Sequence, residues 1–91
     1  MELEKIIKEK SGTIVDVRST LEFRGGSAAG SINIPLQEIQ QRLAEIKQLK
    51  TPLVLCCASG GRSAMAADFL TAQGIVCING GSWINVHHYQ K

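Results

Sequence analysis

Residues 52–57, "PLVLCC", form an unbroken apolar run that ends in two adjacent cysteines. A strand with one wet face alternates apolar and polar residues. A run without that alternation suits a strand covered on both faces, the usual position of a central strand in a parallel sheet. The run is followed by the small residues "ASGG", then by Arg62 and a segment with helical apolar spacing. Strand, tight loop and helix in succession constrain the chain to an α/β architecture.

The flanking sequence repeats this alternation. Leu3, Ile6 and Ile7 of "LEKIIKEK" share one helical face, and Gly12 is expected to end that helix. "TIVDV" (13–17) reads as a β-branched strand. In "STLEF", Ser19 precedes Glu22 by three positions, the pattern of a capping box on a short helix. "GGSAAG" (25–30) reads as a loop and "SINIP" (31–35) as a strand stopped by Pro35. Leu36, Ile39, Leu43 and Ile46 recur at steps of three and four and predict an amphipathic helix. "RSAMAADFLTAQG" predicts a helix with Met65, Phe69 and Leu70 inward and Gly74 as its stop. "IVCIN" (75–79) predicts a strand, followed by a turn and a final helix over "GGSWINVHHYQK". The expectation is one domain over residues 1–91, with a mostly parallel central sheet flanked by helices on both faces.

Composition restricts the function. Ten basic residues against eight acidic ones give a formal charge of +2, with no basic run and no basic stripe interleaved with aromatics. This pattern offers nothing to nucleic acid. No stretch approaches the roughly 20 apolar residues that span a bilayer. "MELEKIIKEK" is charged throughout and lacks the apolar core of a signal peptide, so a cytoplasmic location is expected. The three cysteines, Cys56, Cys57 and Cys77, do not form a disulfide framework. No C-x-x-C occurs and His87 and His88 are adjacent, so neither a metal site nor a cofactor is expected.

In parallel α/β sheets, ligands gather at the carboxyl ends of strands. Cys57 is placed there, before Ala58, Ser59, Gly60, Gly61, Arg62 and Ser63. Small residues let successive N–H groups converge on one centre, and the next helix adds its positive end. Such surroundings favour a thiolate, which is the nucleophilic form. Strand alternation turns Cys56 to the opposite face, as a core residue or as a resolving partner. Cys77 and Trp83 read as core residues, and His87 and His88 as exposed. Arg62 is a candidate brace for the loop through Glu22 or Asp16. Asp16 and Arg18 either wall the pocket or serve as a strand end and a solvated charge.

The loop resembles that of the single-domain rhodaneses, which are sulfurtransferases. Their active loop is cysteine, two variable residues, glycine, one variable residue, arginine, then serine or threonine. Cys57, Gly60, Arg62 and Ser63 fill those places. "DVRSTLEF" (16–23) and "GSINIP" (30–35) resemble two further family segments in the same order, and "GGSW" (80–83) a third more loosely. The resemblance implies transfer of sulfane sulfur from a donor such as thiosulfate, through a Cys57 persulfide, to a thiol, a protein or cyanide. It implies Ala58 to Ser63 as the substrate cradle and Asp16, Arg18 and Glu22 as supporting residues. Related phosphatases and arsenate reductases carry a longer loop between cysteine and arginine, so sulfur chemistry is favoured over phosphate chemistry. The chain departs from the family pattern at Ser27, where histidine is frequent, and at Ala29, where proline is usual. It also departs at Ala58, where many thiosulfate-using members carry a cation. Two other readings follow: a persulfide carrier that turns thiosulfate over poorly, and a non-catalytic binding or regulatory domain.

Overall fold

A computed structural model describes residues 2–91. The elements in order are α1 (Leu3–Glu9), β1 (Thr13–Asp16), α2 (Thr20–Arg24), β2 (Ile32–Asn33), a 3-10 turn (Leu36–Glu38), α3 (Leu43–Ile46), β3 (Leu53–Cys57), α4 (Gly61–Ala72), β4 (Cys77–Ser82) and α5 (Trp83–Tyr89). The strands form one sheet in the order β2-β1-β3-β4, and every neighbouring pair is parallel. β3 lies inside it, paired from Leu53 opposite Thr13 on one side and Leu53 opposite Cys77 on the other. All five of its residues are buried, as its unbroken apolar run requires.

The two faces of the sheet carry separate cores. One holds Leu53, Leu55 and Cys57 under Ala66 and Leu70 of α4 and Ile46 of α3. The other holds Val54 and Cys56 under Ile6 and Ile7 of α1 and Val86 of α5. Helices therefore cover both faces, and the adjacent cysteines are divided between the two cores.

Several element boundaries differ from those expected. α1 ends at Lys10, whose backbone turns left-handed (φ 52°), two residues before Gly12. The helix expected over 36–46 is a 3-10 turn followed by the four-residue α3. Leu36, Ile39, Leu43 and Ile46 still pack on the core; apolar spacing specifies which residues point inward, and short turns meet that demand as well as a continuous helix. Met65 is 63% exposed, whereas Ser63, Ala66 and Leu70 form the buried stripe of α4. Two residues along a helix rotate the side chain by about 200°, so burying Ser63 turns Met65 outward. β4 continues beyond Asn79 because a bulge absorbs Gly80: Leu55 faces Asn79 and Cys56 faces Gly81. A Cβ on Gly80 would lie 2.8 Å from Val54 Cγ1, so only glycine fits where β4 passes this core.

Candidate active site

Cys57 is the last residue of β3, and α4 begins four residues later, at Gly61. The turn between them depends on Gly60, which caps α4 at φ 101°, a conformation that disfavours any side chain. A Cβ there would also approach Gly81 Cα at 3.4 Å. This geometry aims the Gly60 N–H at Cys57 Sγ, 3.0 Å away. The Ser63 hydroxyl lies 3.5 Å from the same sulfur. Cys57 is 1% exposed, so its sulfur sits at the floor of the loop; Ala58, Ser59 and Gly61 form the exposed rim.

Burial pushes the Cys57 thiol up, but hydrogen bonds from the Ser63 hydroxyl and from the N–H groups of Ser63, Ser59 and Gly60 outweigh it. The balance lowers the thiol from 9.0 to about 7. Cys56 follows the opposite course. Burial, with the Asp16 carboxylate nearby, raises its thiol to about 12. It is 0% exposed and packs among Ile7, Val54 and Val86, which leaves no open path to a second thiol. Cys77 is half-buried; its sulfur lies 3.3 Å from Thr71 Oγ1 and 3.5 Å from the Ala67 carbonyl.

Two arginines stand near the loop, and both are committed to carboxylates. Arg62 forms a two-pronged pair with Glu22, at 2.8 and 3.0 Å. Glu22 is itself fixed by the expected capping box: it accepts from the Ser19 N–H at 3.0 Å while its own N–H donates to the Ser19 hydroxyl. The Arg62 hydrogen bonds, helped by the Ser19 N–H, lower the Glu22 carboxyl from 4.5 to about 2. Glu22, rather than Asp16, is thus the brace for Arg62. Arg18 forks onto Asp16 at 2.7 and 3.0 Å and donates to the Glu22 and Gly26 carbonyls. Its guanidinium lies 5.0 Å over the Trp83 ring. Asp16 and Arg18 are buried. They tie β1 to α2 and to the loop after it, and neither offers a free charge to the sulfur.

Asn79 was not marked by the sequence. Its amide oxygen accepts from Ser63 Oγ at 2.7 Å and from the Gly81 N–H at 3.0 Å, and its amide nitrogen donates to the Gly60 carbonyl at 3.2 Å. The pair Asn79–Gly80 at the end of an apolar strand was the available signal. Trp83 is half-buried between Arg18 and Gly26, and His87 and His88 are exposed. Among the described residues, no three of His, Cys, Asp and Glu are grouped to hold a metal ion, and no helix is long and apolar enough to cross a membrane. A cavity of about 600 Å³ is lined by Ile6, Ile7, Ile14, Val54 and Lys10 among others, none of them in the Cys57 loop.

Comparison with known proteins agrees with this geometry. The rhodanese-like domain family model matches residues 1–86. YrkF of Bacillus subtilis, whose name proposes a sulfur carrier, is 34% identical over 71 residues, which are 78% of this chain and 38% of that protein. The mouse "thiosulfate sulfurtransferase/rhodanese-like domain-containing protein 3" is 34% identical over 86 residues, covering 80% of this chain and 55% of that protein. The chain thus corresponds to only part of these relatives. The solved structure of a rhodanese-related protein from Thermoplasma volcanium is 40% identical, with a TM-score of 0.74, over 90% of this chain and 83% of its own. With this fold, this loop and these relatives, the chain belongs to the rhodanese-like domain family.

Proposed function

We propose that the chain is a sulfurtransferase that carries sulfane sulfur as a Cys57 persulfide. One observation supports this reading above the others: the Cys57 sulfur receives the Gly60 N–H at 3.0 Å at the start of α4. N–H groups fixed around a sulfur stabilise an anion there, and after transfer they would stabilise the outer sulfur of a persulfide. In the first half-reaction the Cys57 thiolate attacks the sulfane sulfur of a donor such as thiosulfate. The sulfur–sulfur bond of the donor breaks, sulfite leaves with the electron pair, and Cys57–S–S⁻ remains. In the second, an acceptor thiolate, a protein thiolate or cyanide attacks the outer sulfur, and the Cys57 thiolate leaves. Ala58 to Ser63 supply the cradle, and Glu22 holds it by fixing Arg62.

A second reading concerns the donor. Both nearby guanidinium groups are occupied by carboxylates, and Ala58 brings no charge to the rim. A dianion such as thiosulfate finds no unpaired partner there, whereas a persulfide brings less charge to be neutralised. This favours a carrier that accepts sulfur from a persulfide and turns thiosulfate over slowly. The test is intact-mass spectrometry after incubation with thiosulfate, and separately with a small-molecule persulfide. The expected result is a gain of one sulfur atom that disappears in Cys57→Ser and persists in Cys56→Ser. No gain with either donor would overturn the proposal.

A further inference from the structure

The Ser63 hydroxyl has one proton and three acceptors around it. Asn79 Oδ1 is at 2.7 Å, the Gly60 carbonyl at 3.1 Å and Cys57 Sγ at 3.5 Å. It can serve only one of them at a time. The orientation of the Asn79 amide decides which, and two backbone groups settle that orientation. Turned over, the amide would set its oxygen against the Gly60 carbonyl and its NH₂ against the Gly81 N–H, two repulsive contacts. Asn79 therefore presents its oxygen to Ser63 and competes with the sulfur for the proton.

We propose that Asn79 is a positioning residue for the sulfur chemistry, holding the Ser63 proton while Cys57 is a thiol and yielding it when the sulfur becomes an anion. In the thiol state Ser63 donates to Asn79 Oδ1, its nearest acceptor, and the Cys57 S–H donates to Ser63 Oγ. When Cys57 releases its proton to solvent, the hydroxyl turns and donates to the sulfur, because a hydrogen bond to an anion exceeds one to a neutral amide. Asn79 Oδ1 keeps the Gly81 N–H, and Asn79 is exposed, so water replaces the lost Ser63 bond. The exchange needs no movement of backbone, only rotation of one hydroxyl.

Few other groups compete in this network. Arg62 and Glu22 are paired with each other, as are Arg18 and Asp16, and none of them bonds to Ser63 or Asn79. Cys77, the titratable residue of β4, lies against Thr71 and Ala67. Ser63 is fully buried, so water does not supply an alternative partner at its hydroxyl.

The proposal rests on Cys57 being the reacting sulfur, and its test reads ionisation rather than sulfur transfer. The rate of iodoacetamide alkylation of Cys57, located by peptide mass, is followed against pH. Removing the competitor in Asn79→Ala lowers the midpoint by about 0.5 pH, the low end of what one neutral hydrogen bond contributes to a titration. Asn79→Asp offers a stronger acceptor and adds an anion, and so raises the midpoint. In Ser63→Ala, which has no proton to direct, adding Asn79→Ala moves the midpoint no further. An unchanged or raised midpoint in Asn79→Ala, or an equal drop in the Ser63→Ala background, overturns the proposal. Should Asn79→Ala fail to fold, a midpoint in Asn79→Asp at or below the parent value overturns it equally. Failure to form a persulfide leaves these midpoints where they are and counts against the proposed function alone.

Discussion

Cys56 and Cys57 are neighbours in sequence, with the same side chain and nearly the same burial, yet their thiols lie near 12 and near 7. Burial acts on both and favours the neutral form. The difference comes from what each sulfur faces. Cys56 points into an apolar core, and the Asp16 carboxylate adds to the effect of burial in holding its proton. Cys57 points into a loop whose N–H groups and hydroxyl converge on it. One peptide unit and the alternation of a strand separate a structural cysteine from a candidate nucleophile. Exposure alone does not distinguish them; hydrogen-bond donors do.

The largest break in this comparison comes from the Cys56 side. Asp16 is buried and is the carboxylate on which Arg18 forks. Replacing it by alanine leaves a buried guanidinium without its partner, which costs about 3–5 kcal/mol in comparable sites. Asp16→Ala is therefore expected to lower the urea midpoint sharply or to abolish folding. The effect reaches the loop only through the ties from Arg18 to the Glu22 and Gly26 carbonyls. A variant with unchanged stability would mean that the pair contributes nothing beyond its own desolvation.

The next effect separates the two sulfurs by the sign of a pH slope. Cys57 is lowered from 9.0 to about 7. Between those values the unfolded chain holds a proton that the folded chain has released, so stability rises with pH across that window and is lost as pH falls through about 7. Cys56 is raised from 9.0 to about 12. Between those values the folded chain holds the proton that the unfolded chain has released, so stability is fully present below 9.0 and is lost as pH rises toward 12. Denaturant titrations against pH are expected to lose the rise in Cys57→Ser and the fall in Cys56→Ser. Slopes of the same sign in both variants would contradict the division between the faces.

Much of this arrangement was legible in the residues. The unbroken run of β3 placed it inside a parallel sheet, and alternation from Cys56 to Cys57 assigned the two sulfurs to opposite cores, one shared with Val54 and Val86 and the other with Leu55 and Leu70. The Ser19–Glu22 spacing gave a capping box, which is a local pattern carried by four residues. What failed were features decided at a distance. The break within 36–46 depends on how Leu36 and Ile46 meet the sheet, and the outward turn of Met65 depends on where α4 starts. Whether Arg62 would take Glu22 or Asp16 was open because the choice is made across 40 residues of chain. Asn79 escaped notice because its three partners come from three separate segments, the Cys57 loop, α4 and the bulge of β4.

The smallest effect sharpens the comparison by adding a charge on the Cys57 side only. Ala58 is exposed on the loop rim, where Arg62 is held by Glu22 and Arg18 by Asp16. Ala58→Lys places an unpaired cation at the mouth. At water-like dielectric, a unit charge a few ångströms from a dianion contributes on the order of 1 kcal/mol, or roughly fivefold in affinity. The expected outcome is a KM for thiosulfate about fivefold lower with kcat little changed, since the cation meets donor and transition state alike. The gain is expected to fade at high salt, because screening is strong for exposed charges. Turnover with a small-molecule persulfide, which carries less charge, is expected to change less. If thiosulfate turnover is already as fast as persulfide turnover in the parent chain, and Ala58→Lys leaves it there, then occupied guanidinium groups do not limit the donor. The N–H groups of the loop alone would then be holding the sulfonate.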